Sequence, residues 1–140
     1  IEEEINNYIE LTVPFCLGNG FEDLEVNPGV VSSTVKINEN DVDIKVKFPL
    51  SLKKGETSYA LNNPYDYKIP VRLGKIHSTA EKIVEKQLED LNYLDLSFLT
   101  ELDFRTAFIS VDEEKGFYVI TDDSSVLDNI EYSFVFGVKL

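Results

Sequence analysis

The chain has 140 residues, 43% of them hydrophobic and 11% aromatic, enough to fill the core of one folded domain without a metal or a disulfide. Seven glycines exclude a collagen repeat, the single cysteine excludes a disulfide scaffold, and no apolar run approaches the ~18 to 20 residues of a membrane helix, so this segment is not expected to insert in a bilayer. Thirteen basic against 26 acidic residues give a formal charge of −13, a surface that repels nucleic-acid phosphates and anionic lipid head groups.

Residues 1 to 13 read as a short helix. Ile1, Ile5, Tyr8, Ile9 and Thr12 fall on one stripe, and Glu2, Glu3 and Glu4 suit the positive end of the helix dipole. Pro14 ends or kinks it. Gly18-Asn19-Gly20 and Asn27-Pro28-Gly29 have turn chemistry, and Phe21 and Leu24 between them are expected to pin an irregular piece to the core.

Alternation begins at Val31, with Val35 and Ile37 in one phase and Thr34 and Lys36 in the other. After a reversal at Glu39-Asn40, the clearest period-two run of the chain follows: Val42, Ile44, Val46, Phe48, Leu50 and Leu52. Pro49 within it marks a bulge or an edge. Lys53-Lys54-Gly55-Glu56 turns the chain, Asn62-Asn63-Pro64 interrupts the next strand, and Tyr67, Ile69, Val71 and Leu73 resume it. The first half therefore reads as a three-stranded antiparallel meander.

Gly74 opens the one long helix, in which Ile76, Ala80, Ile83, Val84, Gln87, Leu88 and Leu91 recur at three- and four-residue steps, with Glu81, Lys82, Glu85, Lys86, Glu89 and Asp90 facing water. That stripe is expected to cover Val42, Ile44, Val46, Phe48, Ile69 and Val71. Asp95 to Thr100 adds a turn of helix that plugs Leu96 and Leu99 into the core. Strands follow at 104–111 and 117–121 around the loop Asp112-Glu113-Glu114-Lys115-Gly116, where the glycine offers a positive φ. Asp122 to Asn129 reads as a polar loop. Tyr132, Phe134, Phe136, Val138 and Leu140 close the chain in strict alternation. The fold class is α+β: antiparallel meander sheet packed against one long helix, with a short N-terminal helix, in a single domain spanning residues 1–140.

Few residues offer chemistry. His77 stands in the first turn of the long helix with no nucleophile or orienting acid supplied by a motif, so no catalytic residue is assigned. One histidine and one cysteine make no transition-metal site. Cys16, between Phe15 and Leu17, is expected to be a small buried apolar residue, with a bridge to a segment outside this chain as the alternative. Asp122-Asp123-Ser124-Ser125, Asp128 and Asp112 to Glu114 are acidic loops of a kind that can hold calcium, but the D-x-[DN]-x-[DN]-G spacing is absent and no metal or cofactor is assigned. The basic residues are arranged unevenly. Nine of the 13 lie between Lys36 and Lys82, whereas the chain from Val84 onward holds 4 basic and 13 acidic residues. Lys45, Lys47, Lys68 and Arg72 occupy the outward phase of adjacent predicted strands, with Lys53 and Lys54 at the tip joining them. These six are the candidate partner-binding residues: a positive stripe that either pairs across strands with Asp43 and Asp66 or docks an acidic partner, such as a second copy.

Several strings, IEEEINNYIE with its following VPFCL, VDIKVKFPLSLKKGE, YKIPVRLGKIHSTAEKIVEKQ, and GFYVITDD leading to YSFVFGVKL, resemble a group of uncharacterised archaeal envelope proteins with one N-terminal membrane segment and an extracytoplasmic α+β part. The resemblance implies a domain outside the cytoplasm, anchored in the full-length protein, and carries over no activity and no site residue. A chain that opens at Ile1 and contains no methionine is consistent with a processed or cut-down piece of such a protein. The expected function is non-catalytic protein–protein contact at the envelope, with another envelope protein or a second copy as partner. The alternatives are a surface enzyme or carbohydrate-binding module that uses the acidic loops, and a pilin-like filament subunit without its anchoring helix.

Overall fold

The chain forms α1 (Glu2–Thr12), a 3-10 helix (Val13–Leu17), β1 (Glu25–Pro28), β2 (Ser32–Ile37), β3 (Val42–Lys47), β4 (Leu50–Lys54), β5 (Thr57–Leu61), β6 (Tyr65–Ile69), α2 (Leu73–Glu89), α3 (Leu96–Thr100), β7 (Arg105–Ser110), β8 (Lys115–Leu127) and β9 (Ile130–Lys139). This computed structural model describes residues 1–18, 23–89, 95–112 and 114–139. The readings at Asn19, Gly20, Phe21, Asp90, Leu91, Glu113 and Leu140, and at the side chain of Leu96, lie outside the described residues. The class is α+β with antiparallel three-stranded sheets and a short N-terminal helix, as the periodicities predict. The strands make three separate sheets, β1-β4-β5, β2-β3-β6 and β7-β8-β9, rather than meanders under one long helix. Two compact units result, residues 1–37 with 43–69 and residues 38–42 with 70–140.

In the first unit Pro49 divides the long alternating run. Lacking an N–H, it cannot continue a ladder, so β3 ends at Lys47 and the chain re-enters a different sheet as β4. The Pro49 carbonyl accepts from Gly29 N at 2.7 Å. Asn27 and Pro28, read as a turn, instead end β1, in register with Ser51 and Leu50. β4 and β5 form a hairpin closed by Gly55-Glu56, with Gly55 at φ 60°, the left-handed conformation that glycine adopts without a steric penalty.

The core of this unit is Val31, Val46 and Phe48, with Ile9, Val13, Leu17, Ile44 and Leu50 packed around it. The helical elements that pack on Val46 and Phe48 are thus α1 and the 3-10 helix, while the expected cover, α2, places its buried stripe in another core. Pro14 does end α1, sitting in the first turn of the 3-10 helix. Tyr8, read on the same stripe as Ile5 and Ile9, points into solvent. α1 is held to β2 by its carboxylates: Glu10 Oε1 accepts from Ser33 N and Glu2 Oε1 from Ile37 N, both at 2.8 Å. β2 is an outer strand of its sheet, so these glutamates occupy amides that an edge strand would otherwise present to a foreign strand.

In the second unit α2 begins one residue before Gly74. Leu73, Ile76, Ala80, Ile83 and Gln87 are buried along one stripe. Val84 and Leu88, read as part of it, are exposed; Leu88 lies about 120° around the helix from Ile76 at 100° per residue. The core joins Ile76, Ala80 and Ile83 to Leu99, Phe104, Tyr118 and Ile120, with Phe108, Phe134 and Phe136 around it. Tyr118 stacks on Phe136 at 5.4 Å between centroids, and its hydroxyl donates to Gln87 Oε1 at 2.7 Å, which pairs the buried phenol with the buried amide oxygen. Asp95 caps α3 by accepting from Phe98 N at 3.0 Å.

Two loop readings change. Gly116 lies in β8, not in a turn, and a Cβ there would stand 2.2 Å from Phe108 Cζ, so close ring packing rather than a positive φ requires glycine. Residues 122–127 are strand, not loop: β8 continues to Leu127, with a register break in which 123–125 have no partners between the pairs Asp122–Tyr132 and Val126–Glu131. Only Asp128 and Asn129 turn the chain, at φ 50° and 64°, the pair of positive φ values that a two-residue hairpin needs.

Candidate functional site

The candidate basic residues divide into three groups. Lys45 and Lys47 on β3 and Lys68 on β6 are exposed, as the alternation requires. Their face is not uniformly positive, because Lys45 Nζ lies 3.4 Å from Asp66 and Lys68 Nζ lies 3.0 Å from Asp43. Exposed pairs of this kind contribute only ~0 to 1 kcal/mol each. Lys53 and Lys54 are also exposed, at the tip of β4, a strand of a different sheet.

Arg72 departs from the expected stripe. It lies between β6 and α2, not in a strand, and its side chain turns to β8. Its Nε donates to Asp122 Oδ2 at 2.9 Å and its Nη2 to Asp122 Oδ1, a two-pronged fork. Its backbone N–H donates to Ser125 Oγ at 3.0 Å, and the guanidinium sits 5.1 Å above the Phe104 ring. Asp122 is 1% exposed and also accepts from Ser124 N at 3.0 Å and from the Ser125 hydroxyl. The register break in β8 is what folds Ser124 and Ser125 back onto this carboxylate. The Arg72 hydrogen bonds hold the Asp122 carboxyl down at about 2, against the upward push of burial. This clamp fastens the start of α2 to β8, and among the described residues its carboxylate and hydroxyl bond to groups of the same unit.

The sequence reading missed the clamp, yet a signal for it was present. The chain has only two arginines, and both grip carboxylates. Arg105 holds Asp123 at 2.8 Å and reaches Glu131, so the buried Asp122 and the exposed Asp123 each have an arginine. Arginine's planar fork suits such pairing better than lysine's point charge.

His77 is partly exposed, with Nδ1 3.7 Å from Glu81 Oε2. Cys16, expected in the core, is exposed, because the 3-10 helix turns its side chain outward. Among the described residues no three His, Cys, Asp or Glu side chains gather to hold a metal ion, and no helix is long and apolar enough to cross a membrane.

Among the described residues of the first unit, two grooves are lined by apolar side chains. One of about 310 Å³ is lined by Val13, Cys16, Val46, Phe48, Tyr65 and Tyr67. The other, about 570 Å³, is lined by Pro14, Phe15, Leu17, Leu24, Val26 and Pro28. Comparison with family models, with curated proteins and with solved structures finds no match to this chain.

Proposed function

We propose that this chain is a non-catalytic, extracytoplasmic domain of a membrane-anchored envelope protein that works by protein–protein contact. The observation that carries the contact reading is the apolar surface of the first unit. Tyr8, Leu11 and Phe15 are 68%, 71% and 84% exposed and follow one another at three- and four-residue steps from α1 into the 3-10 helix. A contiguous exposed apolar stripe of this kind marks an interaction surface. Lys47, Lys53 and Lys54, exposed in the same unit, supply charges that orient an acidic partner. The envelope location and the anchor rest on the resemblance of the quoted strings. The contact reading is favoured over a ligand site in the acidic loops because Asp122 and Asp123 are each engaged by an arginine.

Retention of the purified domain on the envelope fraction of the source cells tests this. Retention is expected, with loss after protease treatment of the fraction and at least a tenfold weakening for Phe15→Ser. No retention overturns the reading. Retention that survives protease and disappears after polysaccharide digestion overturns it in favour of carbohydrate binding.

A further inference from the structure

We infer that β9 pairs edge to edge with β9 of a second copy of this chain, antiparallel about a two-fold axis that passes beside Val135, normal to the sheet. The inference goes beyond the contact reading, since it uses a surface of the second unit and none of the Tyr8-Leu11-Phe15 stripe. The second unit closes its core, and what it leaves open is backbone. β9 is an outer strand of the β7-β8-β9 sheet and runs for 10 residues, whereas the other outer strands, β1, β2, β5, β6 and β7, have 4 to 6. A long edge presents a row of N–H and C=O groups to any strand that fits it, and proteins blunt such edges with charge, proline or a cover. Glu2 and Glu10 occupy the edge of β2, and β6 lies between Pro64 and Pro70. β9 contains no proline, and its charged residues stand only near its ends, at Glu131 and Lys139. Among the described residues no group outside β8 hydrogen-bonds its backbone. Its pairing with β8 is regular from Tyr132 to Lys139, so no bulge bends this stretch of edge away, and Gly137, which has no side chain, is exposed.

Charge and register point to a second copy as the strand that fits. On the solvent face Lys139 stands directly opposite Lys115 of β8, a like-charge pair, and among the described residues neither lysine has an ion-pair partner. Toward the other end of β9, Glu131 shares the single guanidinium of Arg105 with Asp123 and remains half exposed. One end of the strand thus lacks an anion and the other a cation. An antiparallel copy supplies both, and supplies them twice, as in any isologous contact. With the axis beside Val135, Glu131 meets Lys139 of the other copy, Ser133 meets Gly137 and Val135 meets Val135. On the core face, where Tyr132, Phe134, Phe136 and Val138 are half-buried, Phe134 meets Phe136 and Tyr132 meets Val138, so the seam covers apolar area that the edge leaves open. An axis at Phe134 or Phe136 would set Glu131 opposite Gly137 or Lys139 opposite Ser133 and separate the charges. The ends of the strand therefore select one register, and the partner it selects carries the same sequence reversed in direction.

Sedimentation equilibrium and cross-linking of the whole chain test the inference. The wild type is expected to dimerise in the micromolar range and to lose at least tenfold in dimer affinity with Lys139→Glu, and likewise with Glu131→Lys. The two variants mixed should form a heterodimer, because each then supplies the charge that the other needs at both ends of the seam. Phe15→Ser should leave the dimer unchanged. In a Cys16→Ser background Val135→Cys should form a disulfide between copies, since a residue on the axis meets its own counterpart at about 4.5–5.5 Å between Cα atoms. Ile109→Cys, similarly exposed on β7, should not. Circular dichroism shows that each variant is folded; should Glu131→Lys unfold the chain through its loss of Arg105, Lys139→Glu and Val135→Cys decide the matter. A wild type that stays monomeric at millimolar concentration, a dimer indifferent to Lys139→Glu, or a Val135→Cys variant that cross-links no more readily than Ile109→Cys overturns it. A dimer lost with Phe15→Ser belongs to the first unit and overturns it as well. Protease-sensitive envelope retention by a strictly monomeric domain defeats this inference and leaves the contact reading standing. The β9 dimer without envelope retention does the reverse.

Discussion

The two units use similar numbers of apolar residues to different effect. The second sets a helix of 17 residues against a three-stranded sheet, and Ile76, Ile83, Tyr118 and Ile120 fall to 2% exposure or less. The first spreads six strands over two sheets, its helix α1 has no buried residue, and its core side chains Val31, Val46 and Phe48 retain 6 to 8%. The second unit also resolves its polar groups internally, through Tyr118–Gln87 and Arg72–Asp122–Ser125. The first keeps Phe15, Tyr59 and Tyr67 in solvent. A closed core stabilises itself, whereas an open one leaves apolar area for another molecule to cover.

The sharpest way to break this comparison is to attack the clamp. Asp122→Ala leaves Arg72 partly buried without its counter-charge and is expected to cost about 3–5 kcal/mol, the range for breaking a buried pair; denaturant unfolding checks it. The wild type should show the linked pH effect. The Asp122 carboxyl lies near 2 in the folded state against an ordinary 3.8, so the folded state binds the proton more weakly than the unfolded one. Its contribution, about 2 kcal/mol at ~1.4 kcal/mol per pH unit, is present above pH ~4 and lost as pH falls toward 2. Asp122→Asn should remove that part of the acid dependence.

Phe48→Ala tests the other side. Burial alone predicts a loss of about 3–5 kcal/mol. Phe48 borders an open groove into which neighbours can settle, so the low end, about 3 kcal/mol, is expected. A larger loss than for Asp122→Ala would show the first unit to be as well closed as the second. Gly116→Ala drives a methyl group into the Phe108 ring and should cost about 1–3 kcal/mol, the range for overpacking. Faster amide exchange at Tyr118 and Ile120 would localise the damage. The smallest effect belongs to the Lys45–Asp66 pair on the exposed face of β3 and β6. A double-mutant cycle should give about 0–1 kcal/mol, falling further in 0.5 M salt.

Much of the local structure was legible in the residues. Period-two alternation placed β2, β3, β7 and β9, and the 3.6-residue stripe through Ile76, Ala80 and Ile83 placed α2 with its buried face. The candidate surface was legible in part. Alternation put Lys45, Lys47 and Lys68 outward, because a strand's side chains have only two directions to take. Arg72 was misread because extending the alternation past Pro70 assumed a strand that ends at Ile69.

The sequence by itself determined what depends on neighbours a few residues apart: which segments are helix or strand, which faces are apolar, and where Pro14 and Pro49 interrupt them. Only tertiary structure decided which strands share a sheet, which helix covers which core, and that Asp122 meets an arginine 50 residues away. Periodicity describes one element at a time and carries no information about its partner. A charged pair so distant in the chain exists only after the fold has brought its two ends together.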